Sequence, residues 1–173
     1  MSEHAAVADS QVFPDSQVFF EEVEVGTQVP EREYGPHNLV TAVFWAGVQE
    51  NPGLLHLDRD HARQFRRAKS IVASGALRQS FMTKTITDWA GPRAFLRAMT
   101  VRHTASTYEG DMQRYSATIV EKSDDSENPW VVLDLDGRNQ DGEQILRGRC
   151  TLVLPRRDWP TDRLAWEAGA TPA

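Results

Sequence analysis

The chain has 173 residues, 40% apolar and 25% charged, which is the size and balance of one globular domain that needs no disulfide or metal to fold. Its net charge of -6 argues against non-specific nucleic-acid binding, and no stretch is apolar enough to span a membrane. The single cysteine, Cys150, excludes an intramolecular disulfide and fits a reducing compartment.

Residues 1–16 are small and polar and are expected to be disordered. They lack a basic n-region and a long apolar h-region, so a cytoplasmic location is expected. Phe19–Val25 and Thr27–Tyr34 read as two short extended pieces around Gly26, and Gly35-Pro36 as a turn. Asn38 or Thr41 caps a helix that runs to about Gln49, where Asn51-Pro52-Gly53 breaks it. Asp58 caps a second helix to about Ala68. Ser74 caps a third, from Gly75 to about Trp89. Leu77, Phe81, Met82, Ile86 and Trp89 make that third helix too apolar for a surface position, so it is expected to be buried on more than one side.

The rest of the chain reads as strands. Phe95–Val101 and Arg114–Val120 alternate, while Val131–Leu135 and Ile145–Leu154 are rich in branched residues. Glu109-Gly110-Asp111 and Asp141-Gly142 supply turns. Consecutive strands predict a mostly antiparallel sheet, and the fold class is α+β. The boundaries are a leading segment 1–16, a domain 17–155 and a tail 156–173. Cys150 lies in an apolar run and reads as a buried structural thiol.

Several segments in order resemble the MaoC-like family of hotdog hydratases and dehydratases. They are Phe20-Glu21-Glu22-Val23-Glu24-Val25-Gly26, Phe44-Trp45-Ala46-Gly47, Asn51-Pro52-Gly53-Leu54-Leu55-His56-Leu57-Asp58, Ile71-Val72-Ala73-Ser74-Gly75, Thr100-Val101-Arg102-His103 and Tyr108-Glu109-Gly110-Asp111. The resemblance spans Phe19 to Pro155. It implies a single hotdog domain, an antiparallel sheet wrapped around a long central helix. It implies a dimer, of two copies or of this chain with a different hotdog subunit. The common pattern is Asp-x-Asn-Pro-x-His. Here Asn51 stands five residues before His56, where the family has aspartate, and Gly53 takes the usual asparagine position. The chain follows instead a subgroup pattern, Asn-Pro-x-x-Ile-His-Tyr-Asp, with Leu55 and Leu57 in place of its isoleucine and tyrosine.

The implied activity is an (R)-type enoyl-thioester hydratase, or dehydratase in reverse, on acyl-CoA or acyl-carrier-protein substrates and without a cofactor. Such a reaction needs a base for water and a donor for the thioester oxygen. His56 fits the first task, because an imidazole titrates near neutrality. Asn51 would hold the attacking water but exchanges no proton. Gly75 opens the central helix, where backbone N–H groups are unpartnered and the helix dipole is positive, and is the expected oxyanion donor. Ser74, Leu77 and Phe81 are expected substrate contacts. Arg78, or the run Arg63, Arg66, Arg67 and Lys69, would meet phosphates if CoA binds. The bland alternatives are a cap for Ser74, core packing for Leu77 and Phe81, and a solvated face for the arginines. Asp58 reads as a cap and His37 as part of a Gly-Pro-His turn. His61 and His103 lack metal-ligand spacing, so no metal site is expected. Two rival functions remain: a non-catalytic subunit of a heteromeric dehydratase, favoured by the missing aspartate, and a thioesterase on the same fold.

Overall fold

The computed structural model describes residues 17–124 and 128–160; the segment 1–16 expected to be disordered and most of the tail lie outside the described residues. A 3-10 turn, Phe20–Glu22, leads into β1 (Gln28–Tyr34). Then come α1 (Leu39–Gln49), α2 (Leu54–Leu57), α3 (Arg59–Arg66) and α4 (Gly75–Ala90). Four strands finish the fold: β2 (Phe95–His103), β3 (Gln113–Ser123), β4 (Trp130–Asn139) and β5 (Gln144–Val153). The sheet order is β1-β3-β4-β5-β2 and every pairing is antiparallel.

Alternation along β3 and β4 decides which face is covered. Tyr115, Ala117, Ile119, Val131, Leu133 and Leu135 are buried, and they pack with Met82, Ile86 and Ala90 of α4. The sheet thus folds around one long helix, which is the α+β hotdog arrangement. Pro30 sits in β1, an edge strand, at a shift of register between Val29 and Arg32. A residue without an N–H is tolerated at such a place and nowhere deeper in a sheet. Cys150 is buried, and burial pushes its thiol up to about 12, so it is inert as a nucleophile at neutral pH.

Two details depart from the sequence reading. The first extended piece is partly a 3-10 turn, because the Phe19 N–H donates to the Glu22 carboxylate at 2.9 Å and curls the backbone while Phe20 and Val23 enter the core. The short helix α2 was not expected, since one turn is too short to carry a periodicity. Beyond the expected boundary at 155, Trp159 is buried against Val153 and Trp130, so the start of the tail packs on the domain. Among the described residues no helix is long and apolar enough to cross a membrane.

The three longer helices, α1, α3 and α4, each begin on a side-chain cap. Asn38 accepts from the Thr41 N–H at 2.9 Å, Asp58 from the His61 N–H at 2.8 Å and Ser74 from the Leu77 N–H at 3.1 Å. Each such cap contributes about 1 kcal/mol and fixes where its helix starts.

Candidate active site

Asn51 follows directly on the end of α1, where Glu50 takes a left-handed conformation and the Asn51 N–H donates to Ala46 O at 3.0 Å. Pro52 prevents the helix from continuing. The chain turns at Gly53 and winds through α2, which carries His56. The extended segment before α4 lies alongside. The Val72 N–H donates to Leu55 O at 3.2 Å, and Val72 O lies 2.6 Å from His56 Nδ1.

That last contact settles the imidazole. A carbonyl oxygen only accepts, so Nδ1 carries the hydrogen, and in the neutral ring Nε2 holds the lone pair. The Asn51 side chain is on the same side. From the point where a Cβ on Gly53 would stand, Asn51 Oδ1 is 3.4 Å away, His56 Cδ2 3.3 Å and His56 Nε2 4.0 Å. A side chain at residue 53 would crowd both groups, and glycine leaves room for them.

His56 and Asn51 line a small cavity together with His37, Ala42, Trp45, Ala46, Gln49, Ser74 and Leu77. Its interior volume is about 10 Å³, on the scale of a single water. Three buried polar atoms of these residues have no protein partner: both ring nitrogens of His37 and the indole Nε1 of Trp45. Trp45 and Gln49 also border an open groove of about 500 Å³ that continues along α4 past Ala76, Gln79, Ser80 and Thr83. A groove of that size matches small-molecule sites in general.

Of the expected substrate contacts, Ser74 and Leu77 line the cavity. Phe81 does not. It stacks on Tyr34 with ring centroids 4.5 Å apart and packs against the core. Arg78 is turned away from solvent, 3% exposed, and donates to Ala105 O at 2.9 Å and to Ile145 O. Its guanidinium braces the fold from inside and is not offered to a phosphate. Gly75 is the first residue of α4, next to Ser74 in the chain but not in the cavity wall. The His103 ring covers its α-carbon, with Nε2 3.0 Å from where a Cβ would stand. Burial, and then the positive charge of Arg78, lower the pKa of His103 and favour a neutral ring over the helix start.

Among the cavity residues that the sequence reading did not assign to the site are His37 and Trp45. For His37 a signal was present. It precedes the Asn38 cap, and the residue before a cap packs on the fourth residue of the helix. Here that fourth residue is Ala42, and both line the cavity. The turn at Glu109–Asp111 holds His37 in place: the His37 N–H donates to Asp111 O at 2.9 Å and the Gly110 N–H to His37 O at 2.8 Å.

This turn is itself pinned by charge. Hydrogen bonds from Arg59 and then Ser70 hold the Glu109 carboxyl down at about 2, against an ordinary 4.5. A depressed carboxylate pKa contributes stability that is complete above the unfolded value and is lost as pH falls through the folded one. Urea unfolding is therefore expected to show Glu109→Gln less stable than wild type at neutral pH, with the two converging between about pH 4.5 and pH 2. A gap that stayed constant over that range would detach this pair from acid stability.

Among the described residues no group of three or more His, Cys, Asp or Glu side chains could hold a metal. No protein-family model matches the chain, and no curated protein sequence matches it. Solved structures do. An R-hydratase, PhaJ1, from Pseudomonas aeruginosa superposes with a TM-score of 0.72 at 24% identity, over 81% of this chain and 87% of that one. A MaoC-like dehydratase from Rhodospirillum rubrum gives 0.70 at 21%, over 82% and 99%. A chain of the ChsH1-ChsH2 complex from Mycobacterium tuberculosis gives 0.67 at 22%, over 76% and 98%. What the chain shares with them is the fold.

Proposed function

We propose that this chain, built on the fold of MaoC-like dehydratases and (R)-hydratases, adds water to an enoyl thioester in the (R) sense, or removes it in reverse. The observation that carries the reading is His56, whose Nδ1 is held at 2.6 Å by Val72 O beside a cavity of one-water size. This leaves Nε2 as a base toward that cavity. The fold shared with hydratases and dehydratases supports the same reading.

In the forward direction His56 Nε2 takes a proton from water while the water oxygen bonds to the β-carbon. The π pair moves to the α-carbon and thioester carbonyl as an enolate, and the proton on Nε2 is then delivered to the α-carbon. Val72 O stabilises the imidazolium that exists between the two transfers. The Gly75 N–H, at the positive end of α4, donates to the carbonyl oxygen as it gains charge. Asn51, exposed at the cavity, guides water to Nε2. Ser74 and Leu77 form the wall, and the groove along α4 takes the arm of a CoA or acyl-carrier-protein thioester. Val40, Phe44 and Val48 lie 64%, 74% and 76% exposed on one side of α1, a surface that pairing with a second hotdog chain would cover.

The purified chain, alone, is expected to consume short, long or bulky ring-bearing enoyl-CoA, followed as loss of the conjugated enoyl thioester. Silence across the whole panel overturns a self-sufficient hydratase. The second reading would then hold: a subunit that needs a catalytic hotdog partner. Asn51 at the place of the resembled aspartate favours it, as does the likeness to a chain of a two-protein complex. Release of free thiol would point to thioester hydrolysis.

A further inference from the structure

A one-histidine mechanism leaves a buried imidazole unexplained. His37 is 3% exposed, lines the same cavity as His56, and neither of its ring nitrogens has a hydrogen-bond partner. An imidazole withdrawn from water normally satisfies at least one nitrogen within the protein, because a buried unpaired polar group is costly. Nearby, the Trp45 indole N–H is in the same position. Two orphaned ring systems bordering one water-sized space have a common explanation in the water itself, which needs two to four polar partners to be held.

We infer that His37 and Trp45 complete the binding site of the reacting water, His37 accepting its second hydrogen and Trp45 donating to its oxygen while His56 takes the first. This rests on the hydratase reading and deepens it. For the water, the count of lone pairs and hydrogens closes. Water donates one hydrogen to His56 Nε2 and the other to a His37 nitrogen. Its oxygen accepts one hydrogen bond from Trp45 Nε1, and one lone pair stays free to attack the β-carbon. The transferred proton still travels through His56 alone, and His37 gains and loses none. His37, not the exposed Asn51, is the inner partner, because solvent satisfies an exposed amide and nothing else satisfies His37.

The role requires His37 to be neutral, since an imidazolium accepts nothing. Glu109 and Asp111 face it from the turn and favour its charged form, whereas His56 faces it from α2 and disfavours it. Burial, aided by His56, outweighs the two carboxylates and lowers the pKa of His37. Both carboxylates are engaged elsewhere, Glu109 with Arg59 and Ser70, Asp111 with the Tyr108 N–H and Gln140. From α1 and α4 the cavity receives no titratable side chain.

The test compares wild type, His37→Phe and His37→Gln on the enoyl-CoA that wild type turns over best, with melting curves to establish that each variant is folded. The phenylalanine variant fills the space without an acceptor and is expected to lose about 100-fold in kcat, with KM changed less than about threefold. The glutamine variant offers a side-chain oxygen and is expected to recover to within about tenfold of wild type. Wild-type kcat/KM should fall on the acid side with a one-proton dependence that steepens to two protons as His37 also charges, and the glutamine variant should keep the one-proton limb throughout. A phenylalanine variant as fast as wild type overturns the inference and leaves the hydratase reading standing. So does a glutamine variant as slow as the phenylalanine one, or an acid limb that glutamine leaves unchanged. A wild type that turns over no enoyl-CoA overturns the hydratase reading, and the inference with it.

Discussion

His56→Ala is expected to lower kcat for enoyl hydration by about a thousandfold, the middle of the range for loss of a general acid-base residue. On the proposed mechanism both proton transfers run through Nε2, so kcat and kcat/KM should fall together, as they do when a transition-state interaction is removed. The protein should remain folded. The ring is only partly buried and its removal costs one hydrogen bond to Val72 O, about 1 kcal/mol. Turnover measured beside a thermal melt separates the two effects. Activity within tenfold of wild type in a folded variant would remove His56 from the chemistry, whatever becomes of its neighbours.

The largest effect on stability is expected from Gly148→Ala. Gly148 lies in β5 between Leu135 of β4 and Val101 of β2. A Cβ there would collide with Thr100 O and stand 2.9 Å from Val101 Cα, both backbone atoms of the neighbouring strand. A flexible side chain could swing aside, but a backbone in a hydrogen-bonded ladder cannot do so without separating β2 from β5. Overpacking a well-fitted interior costs roughly 1–3 kcal/mol, and a backbone collision belongs at or above the top of that range. Chemical unfolding should show a loss of about 3 kcal/mol or more, or no folded protein. A variant within about 1 kcal/mol of wild type would mean that β2 yields easily at this point.

The fold was legible where local chemistry and burial agree. Ser74 followed by Leu77, Met82 and Ile86 announces α4, and each of those apolar residues is buried. The same argument places β3 to β5, because alternating residues in them meet that helix. Arg78 was misread because its charge suggests surface. In a helix covered on several sides it had to point inward, and the carbonyls of Ala105 and Ile145 that receive it come from backbone far along the chain. His56 and Asn51 were singled out by the resemblance of their loop, and the structure places both on one cavity. His37 was passed over although it stands just before the Asn38 cap, because its place is also fixed by a turn more than seventy residues later.

Arg78 also sets how the molecule comes apart. Its two acceptors lie 27 and 67 residues away, so one side chain joins the first turns of α4, the segment after β2 and the start of β5. Releasing either carbonyl would strand a positive charge in the interior, a cost that small fluctuations do not meet. These three pieces therefore open as one cooperative unit, and their amide hydrogens should exchange with solvent on a single slow timescale. Ser74 and Leu77, the wall of the cavity on the α4 side, belong to that unit, while Asn51 and Gly53 hang on an exposed loop outside it. One side of the cavity is thus expected to share the lifetime of the native state, and on the proposed function substrate entry and release would be left to the other.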